Sequence, residues 1–130
     1  MNLKTIQNHD FQVRLFQEVQ DHNLDRLMQL LKRYSVKASE KIYDENGNSL
    51  LSIAVQINDK KIVKQLLLIG LDPNTQNNDG NTPLHFALSG RYMRIADLLL
   101  MNGADERIEN NDGVEPWELM EGRAFQYATD

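Results

Sequence analysis

The chain contains no cysteine, so it can form neither disulfides nor thiolate metal sites. It also lacks any Asn-x-Ser/Thr glycosylation sequence, which fits a protein of the cell interior, cytoplasmic or nuclear. Long apolar runs are missing: the longest, Leu66–Ile69 and Leu98–Met101, fall far short of the roughly 20 residues needed to cross a bilayer. The amino-terminal MNLKTIQNHDFQVRL has no apolar signal core, so neither a membrane span nor secretion is expected. Positive charge is in deficit, with a formal net charge of −5, which argues against nucleic acid as the main partner. The deficit is uneven along the chain. Residues 1–66 hold 10 Lys/Arg and 8 Asp/Glu, whereas residues 67–130 hold 4 and 11.

What is present is a repeat. The residues NNDG stand at 77–80 and again at 110–113, and Asn-Asp-Gly is turn chemistry, because Gly takes positive φ freely and Asn and Asp bond their own backbone. The step from Gly80 to Gly113, taken backwards from Gly80, reaches Gly47. At this offset Leu51 aligns with Leu84, Ala54 with Ala87, Ile62 with Ile95, Leu66 with Leu99 and Gly70 with Gly103. Leu84 and Ala87, then Ile95, Leu98 and Leu99, recur at helical spacing. Each unit therefore reads as a short helix, a tight turn, a longer helix and a glycine stop, with Thr82 and Pro83 suited to the N-cap and first helical positions. At 130 residues and 41% hydrophobic, the chain is sized for one domain. A single helix pair cannot bury its apolar stripe, whereas stacked copies bury a continuous core.

The stretch DGNTPLHFA followed by IADLLLMNGAD resembles an ankyrin repeat, whose 33-residue period and T-P-L-H-x-A signature match residues 79–111. Residues 46–78 resemble a more degenerate copy, with NSLLSIA in place of the signature and Asn58 where the family usually has Gly. Residues 112–130 resemble a truncated last repeat, with Pro116 and Trp117 at the places of Pro83 and Leu84, Trp117 as a plug of the last layer or, alternatively, an interface anchor, and Glu118, Glu121 and Arg123 on a polar outer side. Residues 1–45 read as an amino-terminal capping repeat carrying helices over Val13–Val19 and Leu24–Leu31. The step from Leu27 to Ile62 is longer than the repeat, so the connection to the next unit carries about two extra positions relative to the family period. The resemblance implies an all-α solenoid of about four repeats over the whole chain, monomeric on its own.

Little else has the pattern of chemistry. His85 and Ser89 are four apart on one helix and Asp97 could complete a triad, but the resemblance implies that His85 fixes the turn through Thr82 and nearby backbone. His9 and His22 share no ligand spacing with it. DENGNS and NNDGNT lack the acidic twelfth residue of a calcium loop. Neither catalysis, metal nor cofactor is expected. Lys60, Lys61 and Lys64, with Lys32, Arg33, Lys37 and Lys41 upstream, read as a solvated outer face, the alternative being a docking patch for an acidic partner.

The positions left free of repeat building are turn tips and the open side of each first helix: Tyr43, Glu45 and Asn48, then Gln56 and Ile57, then Asn78, Asp79 and Asn81, then Ser89, Arg91 and Tyr92. In the family this is the concave surface that grips partners. Arg91 replaces the family's Gly, and Tyr92 is an aromatic of the type enriched at interfaces. The expectation is a non-catalytic protein-binding module, with the more basic part of a partner lying over residues 79–121. Two alternatives are a small inhibitor that blocks a partner protein, and a fixed subunit of a cytoskeletal or ciliary assembly.

Overall fold

The computed structural model describes residues 3–33 and 42–120, with side chains from residue 9 onward. These form α1 (Leu3–Gln20), α2 (Leu24–Arg33), α3 (Leu50–Gln56), α4 (Lys60–Leu68), α5 (Pro83–Ser89) and α6 (Met93–Met101), and a further helical segment, α7, over 116–120. Lys37, Lys41, Glu121 and Arg123 lie outside the described residues.

Local chemistry sets the helix starts. The Ser49 hydroxyl accepts from the Ser52 amide at 3.1 Å to open α3, and an Asp59 carboxylate oxygen accepts from the Ile62 amide at 3.0 Å to open α4. Thr82 opens α5, where Pro83 occupies a position whose missing N–H is no loss.

First helices pack on first helices and second on second: α1 against α3, α3 against α5, and α4 against α6, while each unit's own pair closes as a hairpin. Two helical layers result, and the core lies between them. Leu51, Ala54, Leu84 and Ala87 of the first layer meet Ile62, Leu66, Ile95 and Leu99 of the second, none more than 1% exposed. These are the residues that align at the repeat offset. The architecture is an all-helical solenoid; among the described residues the β-pairing is a single bridge between Tyr43 and Ser49.

The turn between paired helices is built identically three times. The amides of His22, Asn58 and Arg91 donate to the carbonyls of Val19, Val55 and Leu88, and all three residues sit in the left-handed region, at φ 56°, 57° and 59°. Asn58 and Arg91 are 33 apart but His22 and Asn58 are 36, so the first connection carries three extra positions rather than the two expected.

Arg91 holds this turn at a cost in backbone strain, because a side chain in the left-handed region costs about 1–2 kcal/mol. Arg91→Gly is expected to raise unfolding stability by about 0.5–1 kcal/mol once the larger entropy of a glycine in the unfolded chain is set against the relief. Asn58→Gly should gain less, since Asn tolerates the conformation. Urea unfolding of the two variants checks this, and a destabilised Arg91→Gly would show that the side chain is held by contacts.

Candidate functional site

Three turns project from the stack ahead of α3, α5 and α7, over residues 42–49, 75–82 and 108–115. Each is closed by its own side chain. An Asn77 Oδ1 accepts from the amides of Asp79 and Asn81, both at 3.0 Å. Asn110 does the same for Asp112 and Val114, and Asp44 for Asn46 and Asn48 at 2.9 and 2.8 Å. A short side-chain acceptor at the turn's first position satisfies donors that would otherwise lack partners.

These fingers are then bonded to one another. The Asn78 amide donates to Asn46 O and the Asn111 amide to Asp79 O, each at 3.0 Å. Asn77 Nδ2 donates to Asn48 Oδ1, and Asn110 Nδ2 to Asn81 Oδ1, each at 2.9 Å. Asn78 Nδ2 reaches Glu45 O at 3.3 Å and Asn111 Nδ2 reaches Asn78 O at 2.8 Å. The expectation that Asn48, Asn78 and Asn81 are free of repeat-building duty is therefore corrected: their amides are the rungs of a ladder, and Asn48 is 7% exposed. The cause lies in pairing between successive fingers, far apart along the chain, which one turn read alone does not reveal.

What the fingers leave open is charge. Tyr43, Glu45 and Asp79 are exposed. The three fingers carry Asp44, Glu45, Asp79, Glu109, Asp112 and Glu115, and no lysine or arginine. At the other end of the first helices the balance reverses, with Lys60, Lys61, Arg91 and Arg94 against Asp59 around the second and third inter-helix turns. The charge asymmetry thus runs across the stack, from finger edge to turn edge, as well as along the chain.

This geometry separates the predicted site residues. α5 has 7 residues, a length of roughly 10 Å; its amino end adjoins Asn81 and its carboxyl end leads to Arg91. Ser89, Arg91 and Tyr92, with Gln56 and Ile57 one unit earlier, gather at the turn edge, whereas Tyr43, Glu45 and Asp79 belong to the fingers. The eleven positions do not form one compact patch. Ile57 and Tyr92 also pack on the core, and Gln56 Nε2 is buried without a hydrogen-bond partner among the described residues.

Phe86 escaped sequence reasoning. It is half-buried at the edge of the core, on the face of α5 that also carries exposed Ser89, and Leu119, at the equivalent place in the next unit, is 40% exposed. A Phe between two core positions looks like core, and Ile53, at the equivalent place on the equally long α3, is indeed buried. Trp117 is a correction: it is 40% exposed, its indole N–H bonded to Glu115, while Pro116 is the buried residue of that turn. A cleft of about 380 Å³ lies between α1 and the first finger, lined by Val13, Phe16, Gln20, Tyr43 and Glu45 among others.

His85 is 0% exposed and both ring nitrogens are committed. Nδ1 accepts from the Thr82 amide at 3.0 Å, which leaves Nε2–H to donate to Val114 O in the next unit at 2.8 Å. The ring therefore joins two repeats and has no lone pair to serve Ser89 as a base. Burial pulls its pKa below 6.5, against a smaller upward pull from the Val114 carbonyl. The native state then binds fewer protons than the unfolded chain just below pH 6.5, so His85 makes stability fall as pH drops from 6.5 toward the depressed native value. His85→Gln keeps a side chain able to complete the cap but loses the bond to Val114. It should lower stability by about 1 kcal/mol at neutral pH and flatten this part of the pH profile, measured by urea midpoints between neutral and about pH 5. An unchanged profile would place the titration elsewhere.

Among the described residues no group of three or more His, Asp or Glu is placed to hold a metal ion, and no helix is long and apolar enough to cross a membrane. No curated protein matches the chain. A family model described as ankyrin repeats (3 copies) matches residues 15–110, a span that runs from within α1 through α6 to the start of the third finger. Repeats of this kind are generally protein–protein interaction modules and are typically non-catalytic, and the chain belongs to the ankyrin-repeat family.

Proposed function

We propose that the chain is a non-catalytic adaptor or scaffold that grips a protein partner along its finger edge and the open face of the first helices behind it. The observation that carries this reading is the row of six carboxylates on fingers that hold no lysine or arginine and are bonded to one another. Fingers fixed before binding reduce the ordering cost of association. A one-signed edge favours a partner whose contacting segment is basic, accelerates their encounter and rejects acidic surfaces. The module acts as a monomer in the cytoplasm or nucleus, a setting that suits a cysteine-free chain.

The test is the double variant Glu45→Lys, Asp79→Lys, assayed against a partner isolated from native extract on the wild-type protein. Both side chains are exposed, so helical circular dichroism should be retained while affinity falls about tenfold or more and loses salt dependence. Wild-type affinity in the variant sinks the finger-edge reading.

One observation favours the alternative of a fixed subunit in a larger assembly. Leu68 and Met101, at equivalent places on α4 and α6, are 67% and 81% exposed, and apolar side chains so open suit a permanent contact. Sedimentation of the native complex tests it: a salt-resistant assembly released by Leu68→Ser, Met101→Ser supports the fixed subunit.

A further inference from the structure

The turn edge carries a second surface, which the finger-edge reading does not use. An open groove of about 370 Å³ runs between the second and third inter-helix turns, lined by Asn58, Lys60, Arg91, Tyr92, Met93 and Arg94. Among the described residues, three cations line it and no carboxylate does. The nearby Asp59 is already committed, capping α4 through the Ile62 amide and holding His22 Nδ1 at 2.8 Å. Among the described residues, Lys60, Arg91 and Arg94 take part in no ion pair. Tyr92 packs on the core and lies against Gly90, where an added Cβ would come within 2.6 Å of its ring, so the aromatic is fixed rather than free to swing. Met93 is 46% exposed beside it.

Arg91 makes the arrangement stand out. A guanidinium occupies a left-handed position, φ 59°, where it has no ion-pair partner among the described residues and where glycine would be unstrained. Unneutralised cations gathered by the fold of a chain whose net charge is −5 call for an anionic occupant. We propose that this groove docks an acidic linear segment of a partner protein, carboxylates against Lys60, Arg91 and Arg94 and an apolar side chain against Tyr92 and Met93. Arg presents a planar fork suited to carboxylate. A short peptide needs only a few charges neutralised, whereas a polynucleotide would meet long-range repulsion from a negative protein. The acidic fingers repel the same segment from the other edge, so the two surfaces accept opposite ligands and can be occupied together.

The test is an amide nitrogen–proton NMR titration of the full chain at low ionic strength, with a peptide of glutamates around a central phenylalanine as probe. Saturable shifts are expected at residues 58–60 and 90–95. Arg91→Gly separates binding from folding, since it relieves strain while removing a cation: affinity should fall about fivefold while the melting temperature rises. Arg91→Gly with Arg94→Ala should abolish saturation. Lys61→Ala with Lys64→Ala, on α4 outside the groove, should leave the shifts at 90–95 in place. No shifts, shifts centred on Lys64 or the fingers, or unchanged affinity in Arg91→Gly would overturn the proposal. Tighter binding of an oligouridylate than of the peptide would overturn its choice of partner class.

Discussion

Leu99→Ala is expected to remove roughly 2–5 kcal/mol of unfolding stability, a large share of what a chain of this size possesses. Leu99 is 0% exposed on α6, and α6 packs against both α4 and α5. A void there loosens one helix pair and also the interface between layers. In a solenoid each unit is held mainly by its neighbours, so a weakened interface is felt along the stack. Leu100→Ala, one residue on and 41% exposed, should cost clearly less, because much of its surface stays in water and no enclosed void is left behind. Urea unfolding reads both, and equal midpoints for the two variants would mean that the repeat alignment misplaces the core.

The second large effect lies in the fingers. Gly80 sits at φ +81°, and a Cβ added there would meet Asn111 Oδ1 at 2.5 Å and the Asn111 backbone nitrogen at 2.6 Å. Backbone cannot step aside as a side-chain end can, so Gly80→Ala must push the second and third fingers apart. It should lose about 1–2 kcal/mol to the left-handed conformation and about 1 kcal/mol for each inter-finger bond broken, roughly 3 kcal/mol together. Gly103→Ala is the control: its φ is +93°, but nothing lies within 4 Å of the added atom, so only the conformational part should appear. Amide hydrogen exchange at Asn111 should quicken in the first variant alone. If both alanines cost the same, the ladder contributes nothing beyond turn geometry.

Much of the fold was legible because the interactions that build one unit are local. Thr82 and Pro83 mark a helix start by chemistry that stays within one turn, and the Leu and Ile stripes recur at helical spacing within each copy. What was not legible depends on neighbours far along the chain. Asn48, Asn78 and Asn81 look like polar tips until their partners in adjacent fingers are known. The T-P-L-H resemblance implied the Thr82 half of His85's role, but its second bond goes to Val114, in the following unit. The same reason governs the candidate site. Residues of one sign scattered through the sequence become an acidic edge and a basic edge only when the stack superimposes them, and Arg91 and Tyr92 move away from the tips because α5 lies between. Trp117 failed for a different cause: alignment with Leu84 gave it a core position, whereas the buried residue of that turn is Pro116.

The most direct measurement on the finger edge as the gripping surface is site-resolved crosslinking to the natural partner. A photoreactive residue is placed at position 79 on the second finger, or in a separate protein at position 64 on α4, and each is irradiated in native extract. If the finger edge grips the partner, position 79 should give a discrete adduct that is lost when Glu45→Lys is added, and position 64 should give none. An adduct from position 64 alone would contradict the account and move the binding surface to the basic outer helices.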